Sequence, residues 1–183
     1  FVFDLDNTLY PPNASIWQQI DHAITGYLSH LFGLDGLSAR ALQKHYYKRY
    51  GTTLNGLMVE HPEAVNTDEF LHFVHDIDRS TLKVNARLAA AIGRLPGRRL
   101  VFTNGSRRHA EMTMLALGIA HLFDGVFDIV DGGFNPKPHR TSYDRFLADH
   151  GVDPARAIMF EDIAPNLETA KLLGMQTVLV VPP

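Results

Sequence analysis

Two carboxylates two residues apart, Asp4 and Asp6 in Phe1-Val2-Phe3-Asp4-Leu5-Asp6-Asn7-Thr8-Leu9-Tyr10, are the most chemically loaded feature of this chain. The apolar residues around Val2 read as a short buried strand, where unpaired acids are strongly disfavoured. At the carboxyl end of a strand in an open α/β sheet, acids are well placed, because ligands bind there. Side chains at i and i+2 on an extended strand point the same way. A bend at Asn7 and Thr8 would turn Asp6 toward the same crevice. One carboxylate could then attack an electrophile while the other handles protons, with a hard cation neutralising both. The competing reading is a strand end and an Asx-type turn with two solvated acids. The motif by itself favours neither.

Three later segments repeat the arrangement of an apolar run ending in polar residues. Leu100-Val-Phe-Thr103-Asn104-Gly105-Ser106 offers a hydroxyl at Thr103 and amides at Asn104 and Gly105 just before a helix, where N–H groups lack partners. A simple helix cap is the alternative. In Asn135-Pro136-Lys137-Pro138-His139 the prolines stiffen the backbone and bias Lys137 away from helical geometry, which suits a positioned point charge. An exposed lysine in a Pro-rich turn is the alternative. Ala157-Ile-Met-Phe-Glu161-Asp162 delivers adjacent acids, which could bind metal or cap the following helix.

Taken in order, acid pair, Ser/Thr, lysine and acid pair at successive strand ends are what phosphoryl transfer through a Mg2+-assisted aspartate requires. On Asp4-Leu5-Asp6, Thr103-Asn104, Lys137-Pro138 and Glu161-Asp162 the chain resembles the haloacid-dehalogenase-like (HAD) phosphatase superfamily. The stretches 4–10, 50–56 and 160–167 also look like the pyrimidine 5'-nucleotidase branch. That narrower likeness rests on residues around the motifs rather than on the reacting groups.

The resemblance implies roles. Asp4 would be the nucleophile that forms an aspartyl-phosphate, and Asp6 would protonate the leaving oxygen and later deprotonate the hydrolytic water. Asp4, Asp162 and the Asp6 backbone carbonyl would hold Mg2+, with Glu161 acting behind them or through water. Thr103, the Asn104 amide and Lys137 would bind the non-bridging phosphate oxygens. Where a second acid can lie a few residues further on in the family, this chain has Asn166. That departure leaves the ligand assignment among the last acids open. Dehalogenase chemistry is disfavoured, since Asp6 supplies the proton a phosphatase needs.

The surrounding elements must place these residues. Residues 12–80 read as helices, with Ile16, Ile20, Ile24, Leu28 and Leu31 at three- and four-residue steps and further helices near 36–50 and 67–78. The segment Gly51 to Gly56 separates them as a loop. From about residue 84 strands (98–103, 126–130, 156–161, 176–181) alternate with helices (107–117, 140–150, 165–173). The expected fold class is therefore α/β, a Rossmann-like parallel sheet with helices on both faces. A helical cap over 12–83 would be inserted after the first strand, with hinges at Pro11-Pro12 and near Lys83. Residues 1–11 and 84–183 would form the catalytic core.

Substrate choice would then fall to the cap. Trp17, Tyr46 and Tyr50 could stack on a nucleobase or simply pack the cap core. Thr52, Thr53 and Asn55 could read a base edge or form an inter-helix turn. His109 could reach the phosphate region or be a solvated first-turn residue, and His139 is expected to begin a helix.

Composition sets limits. The 183 residues, 45% hydrophobic, suffice for one sizeable core plus an appended unit. A formal charge of −3 provides no broad basic field for nucleic-acid polymers. No apolar run approaches the ~20 residues of a membrane helix. Cysteine is absent, which excludes disulfides and thiolate chemistry and fits a cytoplasmic location. The chain begins without an initiator Met, so its natural N-terminus is expected upstream. The expected partner is a small phosphomonoester, a nucleotide for preference, bound by a monomer or homodimer.

Overall fold

The structure is a computed structural model and describes residues 1–181. Pro182 and Pro183, the end of the expected core segment, lie outside the described residues. Five short strands, β1 (Val2–Phe3), β2 (Leu100–Phe102), β3 (Gly125–Phe127), β4 (Ile158–Glu161) and β5 (Gln176–Leu179), form one parallel sheet in the order β3-β2-β1-β4-β5. The chain builds outward from β1 to β3, then returns across the sheet to start β4 beside β1. The pair β1/β4 is thus the topological switch point, where open α/β sheets bind ligands beyond the strand ends.

Register brings the polar strand ends level. Phe3 pairs with Val101 on one side and with Phe160 on the other. The ladder continues one residue further through Asp4 N–H to Phe160 O at 2.9 Å and Thr103 N–H to Phe127 O at 3.0 Å. Asp4, Thr103 and Glu161 therefore leave the sheet along one edge. Strands β1 to β3 are short and apolar, as buried parallel strands are, whereas β5 at the sheet's end carries Gln176 and Thr177 and is largely exposed. Val2, Leu100, Phe102, Phe127, Phe146 and Met159 pack into a single cluster, with the Phe102 and Phe146 rings stacked at 4.9 Å.

The connecting helices are α5 (Ala86–Gly93), α6 (Arg107–Ala116), α7 (Arg140–Asp149) and α8 (Ala164–Leu172). Their starts are chemically marked. Asn85 and Ser106 accept hydrogen bonds from the Leu88 and His109 amides, and Pro165 occupies the first turn of α8. Helix α5 fell outside the periodic pattern read from the sequence, because only Ile92 of its residues is fully buried.

The chain divides into two compact units, Phe1–Ala14 with the chain from Arg79 onward, and Ser15–Asp78. The sequence placed the helical segment at 12–83. Within the second unit lie α1 (Ile16–Phe32), α2 (Gly36–Tyr50), α3 (Thr53–Glu60) and α4 (Thr67–Val74). Asp21 of α1 ties it to α2 by accepting from Arg40, from Gln43 Nε2 at 2.8 Å and from Lys44 Nζ at 2.9 Å. The stretch 51–56, expected as a loop, turns into α3 at Thr53. Thr52 Oγ1 accepts the Asn55 amide as N-cap, and Asn55 Nδ2 donates to Tyr50 O at 3.0 Å, closing the junction of α2 and α3. A local capping pair outweighs the turn-like composition there. No helix of the described residues is long and apolar enough to cross a membrane.

Candidate active site

Asp4 follows directly on β1 and is 7% exposed, so its charge must be compensated within the protein. Lys137 does this. Its Nζ donates to Asp4 Oδ1 at 2.7 Å, to Glu161 Oε1 at 2.9 Å and to the Phe102 carbonyl at 2.8 Å. Those three acceptors match the three protons of an ammonium. Burial pulls Lys137 down, but Asp4 and Glu161 outweigh it and hold the ammonium above the usual lysine range. Burial pushes the Asp4 carboxyl upward, Lys137 opposes this, and Glu161 and Asp6 reinforce it.

The segment carrying Lys137 is held by Asn104. Asn104 Oδ1 accepts the Lys137 amide at 2.8 Å, and its Nδ2 donates to Lys137 O at 3.2 Å. This two-point clamp joins the end of β2 to the Pro-flanked turn. Thr103 is buried beside it, its Oγ1 accepting the Gly105 amide at 3.0 Å.

Glu161 is fully enclosed. Besides Lys137, its Oε1 accepts from Asn166 Nδ2 and its Oε2 accepts the Ile163 amide at 2.6 Å. Asn166, where the sequence departs from the expected acid, is thus a buried donor to Glu161, and its carbonyl accepts from Tyr143 Oη at 2.7 Å. Asp162 is only half-buried. Burial and then Glu161 push its carboxyl up to about 6.

Asp4, Glu161 and Asp162 each present an oxygen within 4.8 Å of the others, the one cluster of metal-type ligands among the described residues. Three carboxylates against one ammonium leave a formal charge of −2. An all-oxygen donor set with that deficit fits a hard divalent cation such as Mg2+. Burial, reinforced by the neighbouring acids, raises the Asp4 and Asp162 carboxyls.

Asp6 is directed by a second network. The turn after it closes through Leu9 N–H to Leu5 O at 2.9 Å, with Asn7 in the left-handed region at φ 63, which Asn tolerates better than most residues. Asp6 Oδ1 accepts from the Tyr10 hydroxyl and meets His109 Nε2 at 2.8 Å. His109 is wholly buried, contrary to the solvated alternative, while His139 is the exposed residue before α7. Asn7 Oδ1 and Thr8 Oγ1 are buried in the same turn without a partner among the described residues, marking polar space beside the acids.

The remaining candidates lie in the helical unit. Tyr46 is buried, hydrogen-bonded to His61 Nε2 at 2.8 Å and packed on Gly56, where an added Cβ would come within 2.5 Å of its ring. Thr53 is buried, and its hydroxyl faces Gln43 O at 3.4 Å. Tyr50 donates to Glu60, Thr52 caps α3, Asn55 is tied to Tyr50 O, and Trp17 is 42% exposed.

A family model described as haloacid dehalogenase-like hydrolase matches residues 1–174. The chain belongs to that family. Phosphate metabolism protein 8 of Saccharomyces cerevisiae is 27% identical over 98% of this chain, which spans 60% of the yeast protein's length. Validoxylamine A 7'-phosphate phosphatase of Streptomyces hygroscopicus subsp. limoneus is 25% identical, covering 95% of this chain and 81% of its own. Among solved structures, a HAD phosphatase from Thermococcus onnurineus superposes with a TM-score of 0.63 at 18% identity, over 98% of this chain and 85% of that one, a likeness of fold. This HAD-like chain thus carries at the β1/β4 edge the acid pair, lysine and acid pair on which its resemblance rested.

Proposed function

We propose that the chain is a Mg2+-dependent phosphomonoester hydrolase working through an aspartyl-phosphate. The observation that carries this is the buried Asp4 carboxylate, held by Lys137 and facing Glu161 and Asp162 across the switch point of the sheet. Asp4 attacks phosphorus in line, forming the Asp4 Oδ–P bond as the ester P–O bond breaks. Asp6 gives its proton to the departing alkoxide, then takes one from the water that hydrolyses the acyl phosphate. Asp4, Asp162 and the Asp6 carbonyl would hold Mg2+, which would supply positive charge near the phosphoryl oxygens.

Lys137 adds a structural role to the charge its motif suggests for the phosphate oxygens. With all three N–H groups on protein oxygens, it contributes charge to the phosphoryl site and rigidity to Asp4 and Glu161. The Thr103 hydroxyl and the Asn104 amide remain the candidates for direct contact with phosphate. Glu161, with two donors on Oε1 and one on Oε2, would act behind Asp4 and Asp162 or through water.

Removal of metal is the first check. Exhaustive dialysis against EDTA is expected to abolish phosphate release, with Mg2+ restoring it, and full activity in EDTA would contradict the reading. Asp162→Ala is expected to lose activity and to regain part of it at high Mg2+, because the half-buried Asp162 contributes affinity rather than the nucleophile.

The finer reading is a nucleoside 5'-monophosphate substrate, with UMP and CMP preferred. Its support is the likeness of residues 4–10, 50–56 and 160–167 to pyrimidine 5'-nucleotidases, together with the ring of Trp17 on the surface of α1. With Tyr46 and Thr53 enclosed in their own unit, base contacts fall to Trp17, Tyr50, Thr52 and Asn55. The relative named for validoxylamine A 7'-phosphate favours a competing reading, a sugar-type phosphomonoester. A panel of phosphomonoesters with Mg2+ decides between them. The nucleotidase reading expects UMP and CMP to exceed hexose phosphates in kcat/KM by about 10-fold, the scale of one or two polar contacts. Trp17→Ala or Tyr50→Ala should shrink that preference and spare p-nitrophenyl phosphate. Hexose phosphates leading the panel would overturn the nucleotide assignment and leave the phosphatase one.

A further inference from the structure

His109 lies on α6 with no exposed surface, its ring between two groups of opposite charge. Arg79 Nη2 is 3.0 Å from Nδ1, and Asp6 Oδ1 is 2.8 Å from Nε2. A guanidinium has no acceptor and keeps its protons in proteins, so His109 Nδ1 must accept. The single proton of the neutral ring is then on Nε2, aimed at Asp6. An imidazolium would set two donors against each other at Nδ1, and the Nδ1–H tautomer would do the same. Arg79 is itself held one turn along the same helix face, its Nε donating to Thr113 Oγ1 at 3.3 Å. Thr113 is also fully buried, so the guanidinium has fixed partners at both positions.

We propose that His109, locked by Arg79 as its Nε2–H tautomer, is a positioning residue that orients the Asp6 carboxyl for proton transfer. This rests on the phosphatase reading given above. The Tyr10 hydroxyl converges on the same Asp6 oxygen, so two donors from β1's turn and from α6 fix one edge of that carboxyl. The ring never touches substrate. Its effect is carried by the orientation of the Asp6 carboxyl.

An acid held out of line should matter in proportion to how much the leaving group needs a proton. An alkyl phosphomonoester expels a strongly basic alkoxide, whereas p-nitrophenolate leaves without help. His109→Leu is therefore expected to lower kcat on an alkyl phosphomonoester at least about 10-fold, a fraction of the usual general-acid contribution, with p-nitrophenyl phosphate changed less than about 3-fold. His109→Gln, whose amide supplies an N–H at similar reach, should recover most of the loss. Because a buried ring can be needed for folding, Arg79→Met is the second variant. It removes the lock from outside the core of α6 and should show the same leaving-group dependence at an unchanged melting temperature. Equal losses on both substrates, or no rescue by Gln, would mean that His109 is packing alone.

Nitrogen NMR of the uniformly labelled wild-type protein, with His109 assigned by difference against His109→Gln, reads the lock without any turnover. The expected pattern is a protonated Nε2 and a bare Nδ1 at neutral pH, and a proton on Nδ1 overturns the proposal. Should no phosphomonoester be turned over in an Asp4-dependent way, the phosphatase reading falls, and the ring's protonation pattern still decides the Arg79–His109 lock. Turnover with a uniform leaving-group response would instead sink the positioning claim and leave the phosphatase reading standing.

Discussion

Asp4→Asn is expected to reduce phosphomonoester turnover by at least about 10³-fold, the scale of losing a nucleophile while binding groups remain. The amide has the size of the carboxylate and can still accept from Lys137, so the fold around it should survive. Its oxygen is no longer an anion able to form a stable bond to phosphorus. The control is a melting temperature within a few degrees of wild type, measured beside phosphate release from p-nitrophenyl phosphate. A clean mutant with near-normal release would remove Asp4 from the chemistry.

Lys137→Met should cost more in stability than any other single change at the site. It replaces an ammonium that is 3% exposed and bonded to two buried carboxylates and a carbonyl. Breaking a buried ion pair by removing one partner costs roughly 3–5 kcal/mol, because the other charge is stranded. Here two acids, Asp4 and Glu161, are stranded together. The direction with pH follows from Lys137 being a group that draws Asp4 down. Without it the Asp4 carboxyl rises further, so the variant recovers stability as pH falls and Asp4 becomes protonated. Urea unfolding at neutral and mildly acidic pH checks this. A variant as stable as wild type at neutral pH would show that the lysine is not the counter-charge the geometry makes it. Added Mg2+ should narrow the stability gap, since a site that has lost its ammonium no longer repels the cation with that charge.

Much of the site could be read from the sequence because each part sits where an apolar run stops. Asp4, Thr103 and Glu161 are placed by local strand patterns, and a parallel sheet then sets them level without further information. What could not be read were partners chosen across the fold. That Lys137 spends its protons on Asp4, Phe102 O and Glu161 depends on contacts up to 133 residues apart. Asn104 was read for its amide toward phosphate, and nothing local showed that its side chain clamps the Lys137 turn. His109 did leave a signal. It shares helical spacing with Ala110, Thr113, Met114 and Leu117, all buried, so its face of α6 was legible as an inner one. Its partner Asp6, 103 residues away, was not. In the helical unit, Tyr46 is claimed by packing on Gly56, an outcome that aromatic spacing on a helix could not distinguish from a surface ring.

The stereochemical course at phosphorus tests the central claim most directly, because it does not depend on an intermediate accumulating. A phosphorothioate monoester made chiral with oxygen isotopes would be hydrolysed by the wild-type protein with Mg2+ in isotopically labelled water. Attack by Asp4 followed by attack of water makes two in-line displacements, so the account predicts net retention of configuration. Net inversion would mean that water attacks the phosphomonoester directly, and it would contradict the aspartyl-phosphate route.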